Sequence, residues 1–254
     1  MTRFRTAVAT YDQAPHRFAR TIAMERICSL LLDGAVSFEV PLSERAIAEA
    51  IACGRMPVRE ALRNLAREGI VSVEPGRGTF VRRLGAREVT ELLEVRLAIE
   101  GMAARLAAGK GFVGELPQIV AELRALTKQP FSGKRIREAE AIGDRVHHTI
   151  VHGAGNEILN SLFAGLRLRI GISLRLVQFR DVERIRETVD EHLAVAQAVL
   201  ARKPARAVRA MHDHLRRGHA VTMANFARSQ PEPTAAQVAA LEPALARRRG
   251  RAPS

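Results

Sequence analysis

Between residues 42 and 81 the apolar residues change from a helical spacing to the alternating spacing of β-strands. Ser43 has the position of an N-cap, and Pro57 suits the first position of a further helix. Two alternating runs around the turn at residues 75–78 then predict a β-hairpin. With an amphipathic helix before them, these elements predict a winged helix-turn-helix over residues 15–81, whose third helix is the reading element.

The remainder of the chain predicts helices and no strand. Residues 82–87 have the composition of a linker, and residues 88–228 predict an all-α bundle. After a long first helix, the expected helices of this bundle span 115–127, 135–152, 157–178, 182–202 and 205–227. Residues 1–14 lack periodicity and predict a flexible arm, and residues 229–254 predict a flexible tail. The expected fold class is therefore mostly α, a winged helix-turn-helix followed by a helical bundle.

Composition limits the partners and the compartment. The net charge of +13 favours polyanions such as DNA, although an arginine-rich chain can also reflect genome composition. Cys28 and Cys53 have no CxxC spacing, so we expect neither a disulfide framework nor a thiolate zinc site, and we expect a cytoplasmic protein. The sequence shows no secretory signal and no apolar run long enough for a membrane span, so no membrane partner is expected.

Five residues are candidates for contact with double-stranded DNA. Arg55 and Arg59 lie at the start of the predicted reading helix, where a guanidinium can bind guanine O6 and N7 or a phosphate. Arg45 on the preceding helix is placed to reach the DNA backbone. Gly76 lets the wing turn tightly, so that Arg77 at its tip can enter the minor groove or bind phosphate. An ordinary charged helix and hairpin is the alternative, but the order and spacing together favour DNA binding.

Seven of the eight histidines lie between residues 147 and 219. Asp144 and His148 are four apart on one helix and share a face. His192 and His214 occur among apolar residues on two later helices. Three imidazoles and one carboxylate that converge inside a bundle suit a divalent transition metal, whether Zn, Ni or Mn. We expect three histidines to be ordinary surface residues, because they lie off this inner face or have no partner at helical spacing: His147, His212 and His219. His152 is four residues from His148 and remains a weak spare ligand.

The segment "LSERAIAEAIACGRMPVREALRNLAREGIVSVEPGRGTFV" resembles the DNA-binding domain of GntR-family transcription regulators. The matching residues include Leu-Ser-Glu at 42–44, Arg55, and Pro-Val-Arg-Glu-Ala-Leu at 57–62. Gly54 and Met56 depart from the usual Ser and Thr of the family, whose hydroxyls help to hold phosphate. The resemblance thus places Met56 in the DNA-binding surface and implies an operator preference that differs from the family norm.

Residues 88–218 resemble the helical effector domain, called FCD, of the FadR-like subfamily. The pattern is an Arg and a Glu on the first helix, Asp-x-x-x-His, Gly-Asn and two later histidines. Here it is matched by Arg96, Glu100, Asp144, His148, Gly155, Asn156, His192 and His214. The resemblance implies that Asp144, His148, His192 and His214 bind a metal, most simply Zn, and that Arg96 and Asn156 hold a small organic acid. A salt bridge between Arg96 and Glu100 is the alternative role for Arg96. His147 stands where the family often has Phe, and His148 is preferred as ligand because only it is four residues from Asp144.

These features predict a homodimeric, metabolite-responsive transcription regulator, a repressor rather than an activator, on a pseudo-palindromic operator. Two alternatives remain from the residues alone. One is a metal-dependent hydrolase with a DNA-binding appendage, although four protein ligands fill a tetrahedral site and no partnered base is evident. The other is a metal sensor, for which the ion itself is the signal. We expect no enzyme activity.

Overall fold

The computed structural model of the chain describes residues 14–32, 37–128, 130–175 and 181–229. Its elements are α1 (Ala14–Leu32), α2 (Glu44–Ala50), α3 (Arg55–Arg67), β1 (Val71–Glu74), β2 (Gly78–Val81), α4 (Ala86–Lys110), α5 (Leu116–Thr127), α6 (Gly133–Gly153), α7 (Glu157–Arg175), α8 (Val182–Leu200) and α9 (Pro204–Ser229). Three helices and a hairpin followed by helices confirm the expected fold class. The expected arm and tail lie outside the described residues except for Ala14 and Ser229.

The first three helices and the antiparallel hairpin share one hydrophobic core, in which Val71 pairs with Val81. Ser43 caps α2 as expected, because its hydroxyl accepts the N–H of Ala46 at 3.3 Å. The reading helix α3 begins at Arg55, not at Pro57 as predicted. Proline is tolerated there because the first N–H groups of a helix have no intrahelical acceptor.

The linker is shorter than predicted because α4 begins at Ala86 instead of residue 88. The carboxylate of Glu88 accepts the N–H of Gly85 at 3.0 Å, and this bond caps the earlier start. Further along α4, the fully buried alanines lie in the core against which α9 packs. They are Ala103, Ala104, Ala107 and Ala108. Their small side chains allow α4 and α9 to pack closely.

Helix α7 joins the two domains. Leu168 and Ile172, near its C-terminal end, belong to the core of the winged domain and not to that of the bundle. Arg169 also donates to the carbonyl of Glu68 at the end of α3. The bundle therefore contacts the winged domain through α7 as well as through the chain between β2 and α4. None of the described helices combines the length and apolarity needed to cross a lipid bilayer.

Candidate metal centre and DNA-binding surface

Three buried histidines meet at the centre of the helical bundle. His147 of α6, His192 of α8 and His214 of α9 are each 8% exposed or less. Nε2 of His147 lies 3.2 Å from Nε2 of His214 and 3.3 Å from Nε2 of His192. We call these residues the histidine trio. Among the described residues, it is the one group of three or more His, Cys, Asp or Glu side chains whose ligand atoms all lie within 4.8 Å of one another.

The trio contains two of the four predicted ligands, His192 and His214, and replaces the others with His147. The expectation that His147 lies off the inner face is wrong, because the buried face of α6 runs through Gly143, His147 and Ile150. Asp144 and His148 lie together on the neighbouring face, with Oδ1 and Nε2 3.6 Å apart.

The His148 ring packs edge-on against Phe163 of α7. His152, the spare ligand, is exposed near the end of α6. His212 stays outside the trio as expected, with Nε2 3.0 Å from the carbonyl of Leu97. His219 also stays outside, with Nε2 3.5 Å from the Thr90 hydroxyl.

Two buried carboxylates contact the Nδ1 atoms of two histidines in the trio, the ring nitrogens that point away from its centre. Nδ1 of His147 lies 2.5 Å from Glu100, and Nδ1 of His214 lies 2.9 Å from Glu191. Sequence reasoning missed Glu191 as a functional residue. Its signal was the spacing of seven residues from Arg184, which places both side chains on one face of α8.

The charges of the site follow from burial and these contacts. Burial lowers the pKa of His192 well below its usual value, and it lowers the pKa of His214 to about 4 despite the opposing bond to Glu191. Burial alone would raise the pKa of Glu191, but hydrogen bonds from His214 and Arg184 lower it to about 2. At neutral pH these two imidazoles are neutral and the carboxylate is charged, which is the protonation state that a metal centre needs.

The trio fits a divalent transition metal. Nitrogen ligands 2.0–2.1 Å from a tetrahedral ion lie about 3.3 Å apart, close to the separations between the Nε2 atoms. When Nδ1 donates to a carboxylate, the Nε2 lone pairs face one another, an arrangement that a cation stabilises. Nδ1 of His192 is buried and has no hydrogen-bond partner within the described part of the chain. The set of donors, three imidazoles, is compatible with Zn or Ni.

The second candidate surface lies on the winged domain. Arg55 occupies the first position of α3 and is exposed, and beside it Met56 is 61% exposed. Arg59, one turn further, is held by Glu44 of α2 through three contacts of 2.8–3.0 Å. The hydrogen bond from Arg59 lowers the pKa of Glu44, so the pair is ionic at neutral pH. Arg55 is thus presented to solvent, whereas Arg59 is fixed in direction.

The remaining predicted DNA contacts surround the reading helix. Arg45 on α2 is largely exposed and lies 3.9 Å from Glu49. The wing turns at Gly76, whose φ of +73° is a left-handed conformation that suits glycine. Arg77 at the tip is exposed and contacts Glu74 at 2.5 Å. Arg45 and Arg77 are exposed, as a surface that contacts DNA requires.

Family models match both domains of the chain. The FCD domain matches residues 91–217, and the bacterial regulatory proteins of the gntR family match residues 20–81. The chain belongs to the GntR family. It is a DNA-binding transcription regulator and not an enzyme, so the hydrolase alternative does not apply.

Curated relatives agree with this family assignment, and a solved structure has a similar fold. The regulator is 28% identical to the Glc operon transcriptional activator of Escherichia coli K12 over 77% of this chain and 85% of that protein. It is 29% identical to the HTH-type transcriptional repressor GlaR of the same organism over 65% of this chain and 77% of that protein. The fold is similar to that of E. coli McbR/YncC, with a TM-score of 0.69 and 21% identity over 82% of this chain and 98% of that one.

The two residues expected to hold an effector have other contacts in this regulator. Arg96 donates from Nε to Glu100 at 2.6 Å, which is the salt bridge that the sequence left as an alternative. Asn156 is exposed and caps α7, because its Oδ1 accepts the N–H of Leu159 at 3.1 Å. Arg96 is therefore linked to the histidine trio by Glu100, which contacts His147. Asn156 lies at the start of α7.

A cavity of about 790 Å³ lies between α8 and α9 and reaches the histidine trio. His214 and Glu191 form part of its wall. Three cations line it as well, namely Arg206, Arg209 and Arg217. Carboxylates are also present in the lining: Glu187, Asp190, Glu191 and Asp213. The cavity is large enough for a small polar metabolite and offers charges of both signs.

Proposed function

We propose that this regulator is a homodimer whose affinity for a pseudo-palindromic operator is altered by a small carboxylate bound at a divalent metal. The observation that carries the proposal is the histidine trio, whose three Nε2 atoms face one another inside the effector domain. The proposed ligands are His147, His192 and His214. This set differs from the sequence expectation, which chose Asp144 and His148 in place of His147.

Zinc is the first choice of metal, and Ni or Mn are the alternatives. Three imidazoles satisfy zinc and leave a position for an exogenous ligand. When bound, the ion supplies a Lewis-acid position for a carboxylate oxygen. The three imidazoles bind this ion, and Glu100 and Glu191 orient two of them by contacting Nδ1 of His147 and of His214.

The cavity between α8 and α9 supports an acidic effector. Arg206 and Arg209 are exposed on its wall, and no ion pair joins either to another described residue. Arg217 has a longer contact with Glu191, at 3.4 Å. Arg96 uses Nε toward Glu100, so its terminal nitrogens can still balance the charge of an acid. An anion that enters here reaches His214 from the cavity side.

Helix α7 gives the effector domain a route to the winged domain. Phe163 of α7 contacts His148 next to the trio, and Ile172 of the same helix is buried in the winged domain's core. A shift of α7 on effector binding would change the position of the reading helices. We propose that the protein is a repressor. To release the operator, an acid needs only to disturb the packing of α7 against the winged domain, and release by an effector is how a repressor responds. The relatives named above include an activator and a repressor.

Operator release measured with and without metal tests the proposal. A fluorescent duplex selected from a random library by the protein itself serves as probe, and fluorescence anisotropy follows binding. A panel of mono- and dicarboxylic acids is then titrated against metal-free and zinc-loaded protein. We expect one class of acid to change operator affinity about 5- to 150-fold, and only in the zinc-loaded protein.

Two matched variants decide the ligand set. His147→Ala is expected to lose metal and the response to acid, whereas His148→Ala is expected to keep both. The reverse result would restore the pair that the sequence favoured. A full change in operator affinity on adding zinc alone, with no effect of any acid, would make the protein a metal sensor instead.

A further inference from the structure

Two histidines of the trio each contact a carboxylate, and the two carboxylates come from different helices. Glu100 of α4 contacts His147, and Glu191 of α8 contacts His214. Both carboxylates are buried, with Glu100 fully inaccessible and Glu191 7% exposed. A buried carboxylate is costly unless its oxygens are satisfied, so these two positions have a specific structural cause.

An arginine fixes each carboxylate in turn. Arg96 donates to Oε1 of Glu100, which leaves Oε2 for His147. Arg184 donates to both oxygens of Glu191, at 2.8 and 3.1 Å, in the bidentate arrangement that guanidinium favours. The carboxylates therefore cannot rotate freely, and each directs one oxygen at a ring nitrogen.

This arrangement determines which nitrogen of each ring is protonated. A carboxylate that already accepts from arginine can only accept again, so the Nδ1 atom beside it must carry the proton. A neutral imidazole protonated at Nδ1 has its lone pair on Nε2, and Nε2 is the atom that faces the other histidines. A metal ligand needs that lone pair.

We propose that Glu100 and Glu191 are positioning residues of the metal centre, holding His147 and His214 as the tautomer whose Nε2 binds the ion. This inference rests on the proposed metal centre. His192 serves as an internal comparison, because its Nδ1 has no hydrogen-bond partner in the described ranges and its ring is placed by packing instead.

Zinc affinity of three glutamine variants tests the inference. Competition with a chromophoric chelator gives the zinc dissociation constant of the full-length protein and of Glu100→Gln, Glu191→Gln and Glu183→Gln. Glu183 is the matched control, because it is an exposed glutamate on α8 that lies 4.0 Å from Arg186 and is not part of the cavity wall. We expect about 10- to 100-fold weaker zinc binding for the first two variants, and unchanged binding for the control.

Nitrogen-15 NMR of the histidine rings provides a readout that a merely structural role would not change. In metal-free wild type, we expect His147 and His214 to be protonated at Nδ1, with assignments from single alanine variants. Glu191→Gln should alter the tautomer of His214 and leave that of His147 unchanged. Because the wild-type spectrum needs no substitution at the carboxylates, the test holds even if both glutamine variants fail to fold.

The possible results separate the two proposals. If wild type binds zinc and both Glu100→Gln and Glu191→Gln bind it with the same affinity as wild type, the positioning role is overturned and the metal centre is not. Wild type that binds none of Zn, Ni and Mn would overturn the metal centre. Protonation of Nε2 in His147 and His214 would overturn the tautomer argument whatever the affinity.

Discussion

A methyl group on Gly143 would lie 2.5 Å from Cε1 of His192, which is closer than any real side-chain contact. Gly143 is one turn before His147 on the buried face of α6. The absence of a side chain at this position is what allows the ring of α8 to enter the space between the helices. The distance links a small residue on one helix to the placement of a proposed ligand on another.

Gly143→Ala is therefore expected to displace His192 and to weaken zinc binding by about tenfold or more. The helix itself should not suffer, because alanine is a better helix former than glycine by about 1 kcal/mol. Gly218→Ala on α9 is the matched control, since nothing lies within 4 Å of a methyl group there. Chelator competition measures both, and equal affinities would show that His192 does not bind the ion.

The pKa values of the buried histidines predict a pH dependence of stability in the metal-free protein. Burial lowers the pKa of His214 from its usual 6.5 to about 4, and burial also lowers the pKa of His192 well below its usual value. The unfolded chain thus binds protons between about pH 6.5 and 4 that the folded chain does not. The free energy of unfolding should be greatest above this window and fall as the pH drops through it, by roughly 3 kcal/mol from His214.

Urea titrations in the presence of a chelator, at pH 7.5, 6.0 and 5.0, measure this loss. His214→Gln removes the titrating ring and should reduce the slope of stability against pH. The same slope in the variant and in wild type would mean that other groups cause the dependence.

Sequence patterns predicted the fold well because its elements are local. Ser43, the Gly76 turn and the apolar spacing of the bundle helices act within a few residues, so they can be read without tertiary contacts. Helix starts were less accurate, since α3 accommodates Pro57 at its third position and Glu88 caps an earlier start of α4.

The sequence located the buried histidine cluster in the bundle interior but did not identify which histidine of α6 belongs to it. Helical spacing placed histidines of three helices in the bundle interior, yet it could not distinguish His147 from His148, which are adjacent. That distinction depends on Glu100, a residue on another helix that contacts Nδ1 of His147. Spacing within α6 favoured the pair with Asp144, because a pattern within one helix contains no information about the facing helix.

Substitutions on the DNA-binding surface should affect operator binding in two ways, either through base preference or through affinity for all sequences alike. Arg55→Ala and Arg59→Ala are each expected to weaken binding by about 1 to 3 kcal/mol and to reduce the discrimination between bases. Glu44→Gln should act through Arg59, because it removes the charge that orients the guanidinium. Arg77→Ala is expected to weaken all sequences evenly and to lower the salt dependence.

Anisotropy titrations on the selected duplex and on a scrambled one measure both effects. Arg45→Ala on α2 should follow the pattern of Arg77→Ala, as expected for a contact with the backbone. Unchanged affinity and unchanged preference in both Arg55→Ala and Arg59→Ala would place the DNA contacts elsewhere.

The contact between α1 and α7 predicts a route for communication between the domains. A methyl group on Gly171 would lie 2.0 Å from Cδ2 of Leu32. Gly171→Ala should displace the Leu32 side chain from this contact and lower the free energy of unfolding by about 1 kcal/mol. It should also reduce the effect of acid on operator affinity without reducing zinc affinity.

Gly165→Ala is the control on the same helix, because a methyl group at Gly165 meets nothing within 4 Å. Urea denaturation, chelator competition and anisotropy are measured on both variants. An unaltered response to acid in Gly171→Ala would mean that the signal passes through the segment between β2 and α4 instead.

The proposed dimer has a candidate surface on α4 and α7, which pack against each other. Met102 on α4 and Leu162 on α7 are 44% and 56% exposed, and Ile158 lies one turn from Leu162 with 76% exposure. Large exposed apolar side chains on adjacent helices are typical of a surface that another subunit covers. A second copy of this chain is the occupant that a pseudo-palindromic operator requires.

Leu162→Glu is therefore expected to convert the dimer to a monomer, because burying an unpaired carboxylate in an apolar interface is unfavourable. Val113→Glu is the matched control, since Val113 is 52% exposed but lies in the turn after α4. Light scattering after size exclusion gives the mass of each variant, and anisotropy gives its operator affinity. The monomer should bind a single half-site about as well as wild type does, while losing most of its affinity for the full operator. A Leu162→Glu protein that remains dimeric would assign the interface to another face of the molecule.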